Sequence, residues 1–78
     1  IKVYPNPATG RINLDLGRQI AGPVFVNLID ILGKTVRSYS FDGNQQYHAA
    51  DLSNIAPGLY NAQIHTKTSV TNLTLMIK

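Results

Sequence analysis

No cysteine, no tryptophan and no glutamate occurs among the 78 residues of the chain. Without cysteine there is no disulfide, no thiolate metal site and no thiol nucleophile. That absence assigns no compartment, because secreted bacterial domains commonly do without disulfides. Without glutamate, all four acids are aspartates, and the paired convergent carboxylates of glycoside hydrolysis would have to come from Asp15, Asp30, Asp42 and Asp51. These are spread one by one along the chain, and a domain this small leaves little room for a cleft of about 300 Å³ or more. Long apolar runs are missing too. Val24-Phe25-Val26 and Leu75-Met76-Ile77 fall far short of the ~20 residues of a membrane helix, so no membrane insertion is expected. Charged residues make up only 14% of the chain. The basic ones (Lys2, Arg11, Arg18, Lys34, Arg37, Lys67 and Lys78) stand singly. Nucleic-acid binding calls for a clustered basic stripe interleaved with aromatics, so no nucleic-acid partner is expected. There is no initiator methionine and no signal peptide, which reads as a piece of a larger precursor.

Apolar residues, by contrast, make up 44%, an ordinary share for a globular domain and too high for a disordered tail. The length suits one domain over residues 1–78 with one modest core. Its net stability should be about 4–12 kcal/mol, from ~0.05–0.15 kcal/mol per residue.

Period-two alternation dominates, broken by turn residues every 8–12 positions. Residues 1–4 read as a short strand stopped at Pro5-Asn6-Pro7. Ile12, Leu14 and Leu16 form the apolar face of a second strand. Val24, Val26 and Leu28 share one face of a third, whose other face carries Phe25 and Ile29, which suggests a central strand. Asp30 to Lys34 makes a hairpin connection with Gly33 free to take positive φ. Residues 35–41 form the return strand, and a change of apolar parity between Val36 and Tyr39 predicts a bulge. Asp42-Gly43-Asn44 is a turn signal. Residues 45–50 form a fifth strand, with either Tyr47 and Ala49 or His48 facing inward. Asp51 to Ile55 is a crossover, and Pro57-Gly58 suits the centre of a type II turn. Tyr60, Ala62 and Ile64 mark a sixth strand, and Leu73, Leu75 and Ile77 a last one. No segment holds helical periodicity. Seven short strands imply an all-β, antiparallel β-sandwich with Ig-like or Greek-key wiring.

Few residues carry chemistry. Gly33-Lys34-Thr35 lacks the earlier glycine and following helix of a phosphate-binding loop, so it is a turn. His48 and His65 fall at polar positions of their strands, with no third ligand suggested by spacing, and are expected to be exposed. No D-x-D-x-D-G run forms a calcium loop, and no nucleophile elbow frames a serine. No catalytic residue, metal or cofactor is expected. Tyr39 and Tyr47, placed across the Asp42-Gly43-Asn44 turn, would pack as a cross-strand pair or offer a glycan platform. Tyr60, at the start of a strand after a crossover, fits a tyrosine corner whose hydroxyl returns to the backbone near residues 52–54.

Four segments then form an ordered series. Tyr4-Pro5-Asn6-Pro7-Ala8-Thr9-Gly10, Asp30-Ile31-Leu32-Gly33-Lys34, Pro57-Gly58-Leu59-Tyr60 and the terminal run to Lys78 resemble, in order and spacing, the motifs of type IX secretion system C-terminal sorting domains. The resemblance spans essentially the whole chain. It implies a secretion signal at the end of a larger precursor, carrying an N-terminal cargo domain through the periplasm and the outer-membrane translocon to the outside or the cell surface. It also implies removal by a sortase-like cysteine peptidase cutting upstream of Ile1, in bacteria of the Bacteroidetes phylum. Pro5, Asn6, Pro7, Gly10, Asp30, Gly33, Lys34, Gly58 and Tyr60 are then structural motif positions. Translocon recognition is expected at Leu73, Leu75, Met76, Ile77 and Lys78, by strand addition at a sheet edge. The competing expectation is an Ig-like carbohydrate-binding or structural accessory module of a surface hydrolase or adhesin.

Overall fold

The structure, a computed structural model, describes residues 1–78. It contains seven strands: β1 (Lys2–Thr9), β2 (Arg11–Asp15), β3 (Pro23–Ile29), β4 (Thr35–Asp42), β5 (Tyr47–Asp51), β6 (Gly58–His65) and β7 (Val70–Ile77). No helix is long and apolar enough to cross a membrane. β1, β2 and β5 form one sheet, and β4, β3, β6 and β7 the other. The sheets pack face to face as a β-sandwich.

The expected inward faces meet in the middle. Ile12, Leu14 and Leu16 from the first sheet oppose Val24, Val26, Leu28, Ala62, Ile64, Leu75 and Ile77 from the second, all buried. β3 is central, between β4 and β6. No buried residue is charged, and the one side-chain polar group among the core residues, the Tyr60 hydroxyl, is hydrogen-bonded, as a buried polar group should be.

Several expectations change. Pro5-Asn6-Pro7 does not stop β1, which runs on to Thr9. Lys2 to Tyr4 pair with β2, and Ala8 pairs with Ile77 of β7. This last pairing is parallel, so the sandwich is antiparallel at every other ladder but not here. Prolines are tolerated because β1 leaves one sheet for the other at this point, where a proline forfeits no ladder bond. The shift also opens a cavity of about 440 Å³ between β1 and β7, lined by Ile1, Lys2, Val3, Tyr4, Asn6, Leu73 and Thr74. A gap larger than expected from the size of the domain thus exists, but it holds no aspartate, histidine or serine.

β4 and β5 are not a hairpin. β4 pairs only with β3 and β5 only with β2, so the chain crosses between sheets at Asp42-Gly43-Asn44. Tyr39 and Tyr47 therefore never become cross-strand neighbours. Tyr39 stacks on Phe41 at 6.1 Å and its hydroxyl donates to the Asp51 carbonyl, while Tyr47 is exposed. Burial raises the Tyr39 phenol above its ordinary range. Arg37 joins it, its Nη2 donating to the Ser53 carbonyl at 2.8 Å, so β4 is tied to the segment leaving β5.

On β5 the register puts His48 and Ala50 inward. His48 is therefore not exposed; it lies against Phe41 with centroids 4.7 Å apart. His65 is half-buried and bonds the Gln63 side chain at 2.7 Å. The expected bulge occurs near Val36, where the pairing slips from Leu28↔Arg37 to Ile29↔Thr35. Gly58 opens β6 at a positive φ of 156°, a conformation open to glycine but far from the roughly +80° of a type II turn's centre. The tyrosine corner is present, but the Tyr60 hydroxyl donates to the Ala56 carbonyl, nearer than residues 52–54.

Two surface carboxylates brace turns. Asp15 accepts from Gln46 Nε2 at 3.0 Å and from the Gly17 N–H at 2.8 Å, and the Gln46 bond chiefly holds its pKa below the ordinary value. Asp51 is lowered chiefly by the Ser53 hydroxyl. A depressed folded pKa gives stability that is present above the unfolded value and lost as pH falls through the folded one. The melting temperature should therefore be level from about pH 8 to 5 and decline below about pH 4. A melting temperature that rises on acidification below that point would contradict these two braces.

Candidate functional site

Of the four motif segments, far apart in sequence, the first and third flank the fourth along the closing half of β7, while the second forms the loop between β3 and β4.

Asn6 lies between the two prolines, where β1 has left its first partner and has not yet met β7. Its side-chain amide fills that gap. Nδ2 donates to the Thr74 carbonyl at 2.9 Å, and Oδ1 accepts the Met76 N–H at 3.0 Å. The side chain thus takes the place a neighbouring strand's backbone would occupy, with one donor and one acceptor. Ala8 continues the cover: its carbonyl accepts the Lys78 N–H at 2.9 Å. The outer edge of β7 from Thr74 to Lys78 is therefore not free. That revises the expectation of an open edge there for strand addition.

On its other side, β7 pairs with the third motif: Gly58 faces Ile77, Leu59 faces Met76 and Tyr60 faces Leu75. Tyr60 is buried and fixed by its corner bond, while Leu59 points out. Gly10 serves the opening turn from β1 to β2 at φ 75°, and its carbonyl accepts the Leu52 N–H.

The second motif is a braced loop at the end of β3. Asp30 Oδ1 accepts the Leu32 and Lys34 N–H groups, each at 2.9 Å. The Gly33 N–H donates to the Asp30 carbonyl, and the Asp30 N–H to the Lys34 carbonyl. Gly33 sits at φ 86°, a conformation that costs other residues ~1–2 kcal/mol. Asp30 and Gly33 therefore set the loop's shape, and Lys34 supplies backbone to it.

The five terminal residues divide sharply. Leu75 and Ile77 are core, Leu73 is half-buried, and Met76 and Lys78 are exposed. A folded domain therefore presents mainly Met76 and Lys78. Sequence reasoning does not find the role of Asn6 as a clasp on β7, although an asparagine between two prolines, unable to continue a ladder, is the signal that marks it. No three His or Asp side chains gather where a metal ion would sit.

The family model described as the secretion system C-terminal sorting domain matches residues 2–78. This family is the C-terminal sorting signal of type IX secretion, which works with that machinery on an N-terminal cargo and marks a secreted or cell-surface protein. No curated protein matches the chain. With three of the motif segments joined along β7 and the match covering nearly every residue, the chain belongs to the C-terminal sorting domains of the type IX secretion system.

Proposed function

We propose that the machinery reads this sorting domain at the closing end of β7, where Met76 and Lys78 stand out from a strand fixed on both sides. The observation that carries this reading is the Asn6 clasp, with its 2.9 Å and 3.0 Å bonds to Thr74 and Met76. The closing end of β7 is held by β6, Asn6 and Ala8, so its outward side chains keep a defined geometry. Leu75 and Ile77 act beneath them as anchors in the core, and Leu73 at the margin of the cavity.

In this reading the domain is an address label and performs no catalysis. Cargo passes through the periplasm to the outer-membrane translocon, and a sortase-like cysteine peptidase separates it upstream of Ile1. The carbohydrate-binding alternative finds no support: the two tyrosines that would have formed its platform lie on different sheets.

Deleting Met76 to Lys78 from the cargo-bearing chain should abolish export, as read by the secreted fraction of cargo. Export at the normal level would remove the reading.

A further inference from the structure

Each of three motif segments contributes exposed apolar side chains at the same end of the four-stranded sheet. Ile31 and Leu32, at the tip of the β3–β4 loop, are 82% and 88% exposed. Leu59 on β6 and Met76 on β7 are 48% and 40% exposed and are directly paired. The β3–β6 ladder ends at Ile29↔Asn61, two residues short of Leu59, so the β3–β4 loop lies at the same end of the sheet as Leu59 and Met76. Single exposed aliphatic residues are commonplace on a protein surface, but a group of four drawn from two paired strands and a loop at one end of a sheet is not.

The tip is also rigid. The hydrogen bonds centred on Asp30 fix the loop backbone, and a preordered anchor loses little freedom on binding. Asp30 commits its carboxylate to the loop's own N–H groups. The charges that flank the row are Lys34 and Lys78, both exposed.

We infer that Ile31, Leu32, Leu59 and Met76 form one docking stripe for a protein of the type IX machinery, an apolar patch rimmed by carboxylates. This rests on the reading that the end of β7 is recognised, and extends it to the other two motifs. Charge complementarity selects the occupant. A second copy placed symmetrically on the stripe would bring lysines against lysines, which disfavours self-pairing. An anionic lipid surface is bound through a cluster of basic residues, and two lysines are too few. An apolar centre with a charged rim is the usual anatomy of a protein interface.

The test uses the cargo-bearing chain in cells with a working type IX system. The double substitution Ile31→Ser with Leu32→Ser should lower the secreted fraction about tenfold or more, the scale of losing interfacial anchors. Its melting temperature should stay within about 4 °C of the parent, since neither side chain is packed. Phe25→Ser, at the other end of the same outer face and paired with His65, should leave export unchanged. Normal export of the double variant overturns the proposal. So does a parent chain that dimerises, or that sediments with phosphatidylethanolamine–phosphatidylglycerol vesicles, when the double variant does neither. If Met76→Asp blocks export and the double variant does not, recognition at β7 stands and the stripe alone falls.

Discussion

Gly43→Ala should be strongly destabilising, although it adds one methyl group. A Cβ on Gly43 would run into the carbonyl oxygens of both Ile20 and Gly22. Both obstacles are backbone, so no side-chain rotation relieves them. The two segments are also bonded there: the Gly43 N–H donates to the Gly22 carbonyl at 3.0 Å, and the Ile20 N–H to the Gly43 carbonyl at 2.6 Å. To admit the methyl group, the loop before β3 must move off the β4–β5 crossing and give up both bonds. Two bonds at ~1 kcal/mol each, with ~1–3 kcal/mol for overpacking, give about 3–5 kcal/mol. Against a total of about 4–12 kcal/mol, that leaves the variant marginal or unfolded. At ~4–8 °C per kcal/mol the melting temperature should fall by roughly 12–40 °C, or the transition should disappear. A loss below about 1 kcal/mol in a circular-dichroism melt would show that the loop yields.

Gly43 also marks where sequence stops being informative. Asp42-Gly43-Asn44 has correct turn chemistry, and Asp42 does brace the turn, accepting the Asn44 N–H at 2.9 Å. Turn chemistry is local, however, and does not say whether the next strand returns to the same sheet. Here the chain crosses to the other sheet, against a loop some 20 residues earlier, and Gly43 is glycine because that loop passes so close. The inward faces of β2, β3, β6 and β7 are legible, because alternation at period two records burial directly. The register of β5 is not, since Tyr47 and His48 are both amphipathic; packing of His48 on Phe41 decides it. The run of β1 through two prolines is hidden for a related reason. Proline removes backbone donors, but a side chain supplies bonds to β7 instead. The motif segments themselves are visible in the sequence. The meeting of the first and last of them is not, because it depends on a pairing, Ala8 with Ile77, that joins segments nearly 70 residues apart.

The motif residues also divide by task. Asn6, Asp30, Gly33 and Tyr60 are committed to the domain's own backbone through bonds or conformation. The outward side chains of Ile31, Leu59 and Met76 make no such bonds. Structural residues thus hold a surface that other residues present.

The second large effect is expected at that surface, at Met76. Its neighbours Leu75 and Ile77 are core residues, so removing the whole terminus weakens the fold along with any recognition. Met76 is different. Its N–H is held by Asn6 Oδ1 at 3.0 Å, while its side chain points to solvent. Met76→Asp keeps the backbone bond and places a charge where the partner is argued to be apolar and acid-rimmed. An unpaired carboxylate buried there costs several kcal/mol, which corresponds to a loss of affinity of about a hundredfold or more. The fold should persist, with a melting temperature within about 4 °C of the parent.

The most direct measurement is therefore the secreted fraction of a single cargo carrying either the parent domain or Met76→Asp, with both melting curves recorded. The account predicts an intact fold and cargo retained in the cell. A folded Met76→Asp domain that exports its cargo at the parental level would contradict recognition at the closing end of β7.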